Sequence, residues 1–422
     1  MAWPVRFLLL LCGLLSTGRV CAADIDLLSP STLTVTGDVR LVAASGEESW
    51  LDEGFGKLRA SGSAGGGLRV KPEVGSVDLI WQPRAGFAWS ATVVGTVQGG
   101  ERLEAGLSEA FISYKPMRGQ AVRFSGRAGL MWPPVSLEHG GADWHVLDTV
   151  TPSAINSWIG EEVRPLAIEG TVETKLGSHD LSATVALMAA NDTAAALLTL
   201  RGWALHDRKT LAFHRQPLPP LPGLLIGAQP QFSTPLLDIE RGFARRPGYY
   251  ARLVWQLPVP VRLEAFHYDN RADPEAVNEV LEWGWRTRFQ NIGLIAQPAS
   301  KTRIKAQAMQ GTTLMGFPDP VRLWIDMTFR SAFVLMTQEV GKGQLAARAE
   351  QFRTRNSGSY VTRNENERGW ATTVAYRHEI SPNLSLLAEA LHVQSHRRQR
   401  TDAGVPARQR QSQFQLVARA RW

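Results

Sequence analysis

Cysteine is almost missing from this chain: two in 422 residues, Cys12 and Cys21, both near the N-terminus. A chain cleaved after Ala23 keeps neither, which excludes a disulfide framework, a thiol nucleophile and a Cys-based metal centre. Lysine is scarce as well, eight among 46 basic residues. Arginine therefore carries the positive charge, with a planar fork suited to phosphate and carboxylate, although its abundance is read first as composition. Long apolar runs are missing too. After Phe7 to Leu15 the longest is Thr193 to Leu200, far below the ~18 residues of a membrane-crossing helix. If the chain lies in a membrane it must do so as a closed barrel, the one other structure that satisfies every backbone group in lipid. A Gly-x-Ser-x-Gly elbow, a His-Glu-x-x-His pair and a phosphate-cradling Gly loop are absent. We therefore expect no catalytic residues, no cofactor and no metal. His378, His392 and His396 near strand ends, with Ser395 beside the last, keep a barrel enzyme only as a distant alternative. The formal charge of +7, or +5 without Arg6 and Arg19, does not imply nucleic acid, which an exported chain rarely meets.

The N-terminus reads as an export signal. Arg6 precedes the apolar run, and Cys21, Ala22 and Ala23 offer small residues for cleavage before Asp24, so residues 1–23 are expected to be a signal peptide. Gly18, Arg19 and Val20 do not make a lipobox, which argues against lipidation.

Beyond it, alternating segments recur at short spacing between Gly, Pro, Asn and Asp clusters, the pattern of antiparallel hairpins. Leu33, Val35, Gly37 and Val39 oppose Thr34, Thr36, Asp38 and Arg40. Phe87, Trp89, Ala91, Val93 and Val97 oppose Ala88, Ser90, Thr92 and Thr96. Trp283, Trp285 and Phe289 oppose Glu282, Arg286, Arg288 and Gln290, and Ile325, Met327 and Phe329 oppose Asp326, Thr328 and Arg330. Successive strand residues face opposite sides, so each segment has one apolar and one charged wall. The apolar walls are rich in aromatics near their ends, among them Trp81, Trp89, Trp255, Trp283, Trp285, Trp370, Tyr376 and Trp422. Aromatic girdles at both rims mark a lipid-facing band, whereas a sandwich core prefers aliphatics. The expected fold is all-β, a transmembrane antiparallel β-barrel over residues 24–422 with 16 strands, or 18 as the alternative, because single-chain bacterial barrels close with even numbers. A weak strand is expected within Leu200 to Phe213.

The final segment, Gln411 to Trp422, alternates strictly and ends on an aromatic. It resembles the last strand of bacterial outer-membrane barrels, which implies recognition by the barrel-assembly machinery and a place in the bacterial outer membrane. A narrower resemblance is carried by Leu107-Ser-Glu-Ala-Phe-Ile-Ser-Tyr-Lys115, followed by Val122-Arg-Phe-Ser-Gly-Arg-Ala-Gly-Leu-Met-Trp-Pro-Pro-Val-Ser-Leu-Glu138, then Thr151-Pro-Ser-Ala154 and Arg164-Pro-Leu-Ala-Ile-Glu-Gly170. These stretches resemble the phosphate-selective porin O and P family. The resemblance implies a passive channel for small anionic solutes, usually a homotrimer. That family's lysine-rich constriction has no counterpart here, because Lys115, Lys175, Lys209, Lys301, Lys305 and Lys342 are scattered.

Two stretches lack alternation, near 130–163 and 191–248, and loops this long are usually functional or disordered. In a porin-like barrel the functional reading is a loop folded inward to narrow the lumen, and a mobile extracellular loop is the equal alternative for the second stretch. Rings of charge at close quarters set ion preference, so the pore-lining candidates are the charged residues of the polar walls. The basic ones are Arg123, Arg127, Arg252, Arg262, Arg286, Arg288, Arg303, Lys305, Arg322 and Arg330. The acidic ones are Glu109, Glu169, Glu173, Glu282 and Asp326. Arg241, Arg245 and Arg246 form a basic patch that is read first as solvating a loop, with docking onto lipopolysaccharide phosphates and attraction of anionic solutes as alternatives. The expected function is passive diffusion of small hydrophilic anions through the outer membrane, in contact with its lipid and lipopolysaccharide. A plugged structural or adhesive barrel is the alternative.

Overall fold

The computed structural model describes residues 31–422 except 64, 101–102, 116–120, 213, 222–245, 278–281, 319–322 and 360–364. The expected signal peptide, Arg322, Arg241 and Arg245 lie outside the described residues.

Sixteen strands make one antiparallel sheet that closes on itself. They are β1 (Leu33–Ser45), β2 (Arg69–Trp81), β3 (Trp89–Gln98), β4 (Glu104–Tyr114), β5 (Val122–Leu130), β6 (Pro165–Leu176), β7 (His179–Asn191) and β8 (Gly248–Gln256). The second half comprises β9 (Val261–Asp269), β10 (Arg286–Ala299), β11 (Thr302–Pro318), β12 (Leu323–Val340), β13 (Gly343–Asn356), β14 (Glu367–Ser381), β15 (Leu384–Arg397) and β16 (Arg408–Arg421). A further two-residue strand, Arg84–Ala85, pairs with the start of β3 and prolongs β2 past its break. Each strand pairs with its chain neighbours, and β1 meets β16 from Thr36↔Arg421 to Ser45↔Ser412. Val35 and Trp422 exchange both backbone hydrogen bonds at the end of this seam, at 3.0 and 2.9 Å. Closure leaves no unpaired strand edge, the arrangement that lipid demands. Among the described residues no helix is long and apolar enough to cross a membrane.

The two ends of the barrel differ. At one end β6–β7, β10–β11, β12–β13 and β14–β15 turn in two residues each. The other end carries the long connections, residues 46–68, 131–164, 192–247 and 270–285. Two of these hold helices, α1 (Ala154–Glu162) and α2 (Ala196–Leu200). Pro152 stops the preceding chain from coiling, Ser153 caps α1, and Ile155, Trp158 and Ile159 recur at helical spacing. All nine α1 residues are buried. The segment Leu200 to Phe213 forms no strand among its described residues. It runs as irregular chain through the interior, held by Leu205 N to Lys57 O and Ala212 N to Leu107 O, both 2.8 Å.

On β1, β3, β6 and β16 the sidedness follows the alternation. Val39, Trp89, Ile168, Phe414 and Leu416 are exposed on the outer wall, while Arg40, Thr96, Glu169, Gln413 and Gln415 are buried inside. On β10 and β12 it is reversed at the long-loop end. Phe289, Ile325, Met327 and Phe329 are buried in the interior, which puts Arg286, Arg288, Asp326 and Arg330 on the outward face. The physical reason is that the interior here is packed with protein. Aromatics that would face lipid around a wet lumen instead face Trp158 and Trp203, and Trp283 and Trp285 are buried with them. Trp89, Trp255, Trp370, Tyr376 and Trp422 do stand exposed outside.

Candidate functional site in the barrel interior

The interior is built mainly from two inserted segments, with residues 46–68 packed beside them, and the walls that hold them. In residues 131–164, Glu138 accepts hydrogen bonds from Ser153 N (2.9 Å), Ser153 Oγ (2.5 Å) and Asn156 Nδ2 (2.6 Å). Arg348 of β13 reaches in to donate to Glu138 Oε1 (2.8 Å), Thr151 O (2.9 Å) and Pro152 O (3.0 Å), and is braced by Glu350 at 3.0 Å. Glu350 accepts from Ala154 N at 2.7 Å, so a wall carboxylate sits at the α1 N-terminus, where the helix dipole favours negative charge. Glu389 of β15 accepts from Val150 N (2.6 Å) and Thr151 N (3.0 Å), and Lys305 of β11 pairs with Asp148 at 2.7 Å.

The second segment, 192–221, is docked the same way. Glu161 grips Arg201 with two bonds of 2.6 and 2.7 Å. Glu162 accepts from Leu197 N (2.7 Å), Leu198 N (3.2 Å) and Trp158 Nε1 (2.9 Å), closing the start of α2. Asp207 bridges Arg40 of β1 and Arg59, Lys209 pairs with Asp78 of β2 at 2.7 Å, and Lys57 of the 46–68 connection donates to Trp203 O at 2.6 Å while pairing with Glu367 of β14. Trp203 N donates to Glu367 at 2.9 Å, and the preceding Gly202, at φ +91°, has no room for a Cβ against that carboxylate. Between the segments Trp158 meets Trp203, Phe289 and Phe329 edge-on at 6.1, 5.4 and 5.1 Å, geometry that adds to simple area burial.

Charge in these segments is tuned by burial. Glu162 is pushed from 4.5 up to about 8 by desolvation and by the adjacent Glu161, against the pull of its donors. Glu161 is held at about 2, because Arg201 and His206 outweigh its own burial. Burial lowers Lys57 to about 8 despite Glu367, and it lowers His206 below the usual histidine range.

The expected pore-lining residues fall into three groups. Arg127 and Glu169 form a bidentate pair at 2.8 Å that Tyr250 joins at 2.7 Å, Glu109 accepts from Trp132 N at 3.0 Å, and Lys305 holds Asp148, all inside. At the short-turn mouth Arg123 faces Glu173 at 3.0 Å, Arg252 and Arg262 share the one carboxylate of Glu264, and Arg303 is exposed. A separate cavity of about 110 Å³, at the β16–β1–β2 seam, is lined by Asp38, His139, Asp143, His145, Arg419 and Arg421. The third group is not luminal. Arg286, Arg288, Arg330 and Asp326 are on the outward face, and Glu282 is buried in the 270–285 connection. Sequence reasoning missed the docking residues Glu138, Glu161, Glu162, Arg201, Asp207 and Glu389. The readable signals were the Glu161-Glu162 pair at a helix end and the charged run His206 to Lys209 inside a long connection.

No family model and no curated relative matches the sequence. Among solved structures, the outer membrane channel DcaP of Acinetobacter baumannii is similar with a TM-score of 0.54 at 10% identity, over 93% of this chain and 99% of that chain. An anion-selective porin from Comamonas acidovorans gives 0.47 at 10% identity, and the trimer form of OmpT of Vibrio cholerae 0.47 at 9%, each over 93% of this chain and 99% of the other. At such identities the likeness concerns the fold, that of outer-membrane barrels.

Proposed function

We propose that the protein is an outer-membrane channel of the porin type for small hydrophilic anions, throttled by the two inserted segments. The observation that carries this reading is the short-turn mouth, where two guanidinia share Glu264 and Arg303 adds a further exposed positive charge. A cationic constriction concentrates anions and repels cations. The segments above it are attached at the long-loop end only and are anchored to the wall largely through ion pairs, which can break and re-form. The assembly expected with this reading is a homotrimer, inserted by the barrel-assembly machinery through β16, and phosphate is one solute among those to test.

Reversal potentials and single-channel conductance of the mature protein in planar bilayers test the proposal. A small anion-preferring conductance, enlarged when residues 192–221 are replaced by a short Gly-Ser linker, is the expected result. The packing of Trp158 against Phe289, Phe329 and Trp203 favours a second reading, a plugged barrel without transport. Inserted protein that stays silent in both forms would establish that reading and overturn the channel.

A further inference from the structure

The outer wall carries a feature that a channel lumen does not use. Across the sheet the register aligns Gln290, Gln310, Arg330, Arg353 and Arg368 in one continuous row from β10 to β14. All five are exposed. Arg330, Arg353 and Arg368 are direct neighbours on adjacent strands, with Arg355 of β13 exposed one step nearer the long loops. Like charges placed opposite each other in a sheet repel. Among the described residues none of these four guanidinia has an ion pair or hydrogen bond. Such a row is stable when an anion lies across it.

Its height indicates which anion. Arg330 is ten residues from Val340 at the short-turn end of β12. At about 3.4 Å per residue and a tilt near 40°, that is roughly 26 Å, close to the ~25 Å of a barrel's apolar band. Below the row the wall is apolar, with Val334 and Met336 exposed on the same face of β12. Between the two regions Ala308 and Ala332 are paired small residues, flanked by Ile292 on β10 and by Gln351 on β13, beyond which stands Trp370 of β14. They open a groove of about 670 Å³ that reaches up to Arg330, Arg353 and Arg368. A second groove of about 400 Å³ continues it between Thr312, Thr328 and Arg355. A groove with Ile292, Ala308 and Ala332 at its apolar part, glutamines along its sides and a rim of guanidinia fits an amphiphile with acyl chains and a multiply phosphorylated head. A second copy seated two-fold on this face would set arginine against arginine.

We propose that this arc of the outer wall, β10 to β14, is a binding site for the phosphorylated glycolipid of the outer leaflet, lipopolysaccharide, with Arg330, Arg353, Arg355 and Arg368 on its phosphates. The assignment rests on the outer-membrane placement proposed above. The test compares the mature protein with the Arg330→Gln/Arg353→Gln/Arg368→Gln variant and with the corresponding triple Lys variant, all in detergent. The probes are purified lipopolysaccharide and the same material chemically dephosphorylated, and retention is read by native mass spectrometry. The expected result is retention lowered about tenfold or more in the Gln variant, largely kept in the Lys variant, and lowered equally for wild type with the dephosphorylated probe. Equal retention by wild type and the Gln variant, or indifference to dephosphorylation, would overturn the site. A Gln variant that loses its oligomeric state while retaining glycolipid would make the row a contact between copies instead. Heat-modified gel mobility and bilayer insertion of the same samples separate the two proposals. Wild type that binds glycolipid but never inserts defeats the channel, and wild type that inserts and conducts but ignores the phosphates defeats the site.

Discussion

The arginines inside the barrel and those on its outer wall obey opposite rules. Arg348 is wholly buried and lies between Glu138 and Glu350, and Arg40 is paired with Asp38 and Asp207. Arg330, Arg353 and Arg368 stand beside one another with no acid among the described residues. Inside, a charge without a partner is very costly, so the wall charges are matched either to one another, as Arg127 to Glu169, or to groups on the inserted chain, as Lys305 to Asp148. Outside, at the rim of the band, water and headgroups serve as partners, and repulsion is tolerated because something anionic relieves it. The same side chain thus acts as a bolt on one face and as a lure on the other.

The largest effect expected from breaking this contrast is at Arg348. Arg348→Ala leaves Glu138 and Glu350 buried without their cation and is expected to cost about 3–5 kcal/mol. That loss is read as a lower temperature for heat modification and as a noisier, larger conductance. Arg353→Ala should change stability by no more than about 0.5 kcal/mol in detergent. Equal losses at both positions would erase the distinction. Trp158→Ala follows, at about 3–5 kcal/mol for an emptied aromatic site, in the upper part of that range only if the inserted segments cannot collapse into the space.

Glu162 gives a smaller, pH-dependent effect. Its carboxyl is raised from 4.5 to about 8, so the packed interior holds a proton that an opened one releases. That stabilisation is complete below pH 4.5 and is lost as pH rises towards 8. Channel opening should therefore rise with pH across this window, and Glu162→Gln should flatten the rise relative to wild type. A steeper profile in the variant would reverse the sign and sink the assignment. The smallest expected effect concerns selectivity. Arg303→Glu at the mouth should move the reversal potential towards cations, whereas Arg288→Glu on the outer wall should leave it unchanged, and a shift in Arg288→Glu alone would place the conduction path elsewhere.

The barrel was legible in the sequence because sidedness has a strict period of two, and where the interior is polar the polar residues announce it. Asp38 and Arg40 on β1, Thr92 and Thr96 on β3 and the glutamines of β16 all point inward as their alternation requires. On β10 and β12 the alternation was just as clear, but its meaning was inverted. Phe289 and Phe329 look like lipid-facing residues until Trp158 is known to stand on the other side. Period two states that two faces differ and leaves open which one is inside. That depends on what fills the interior, and the filling comes from segments with no alternation at all. The docking carboxylates were hidden for the same reason, since Glu138 and Arg348 are 210 positions apart and no local pattern links them.

The seam between β1 and β16 joins the edges of the sheet to the inserted chain as well as to each other. Gln411 and Gln413 of the last strand accept hydrogen bonds from Lys57 N and Ala60 N, and Gln415 reaches Glu389 and Thr151. β16 therefore completes the wall and also secures chain hundreds of residues away in sequence. Contacts so remote in sequence form slowly, because the entropy of closing the intervening loop is lost before they can repay it. Until β1 and β16 pair, the sheet has two bare edges and a half-tethered filling, so closing the wall and packing the interior are a single event.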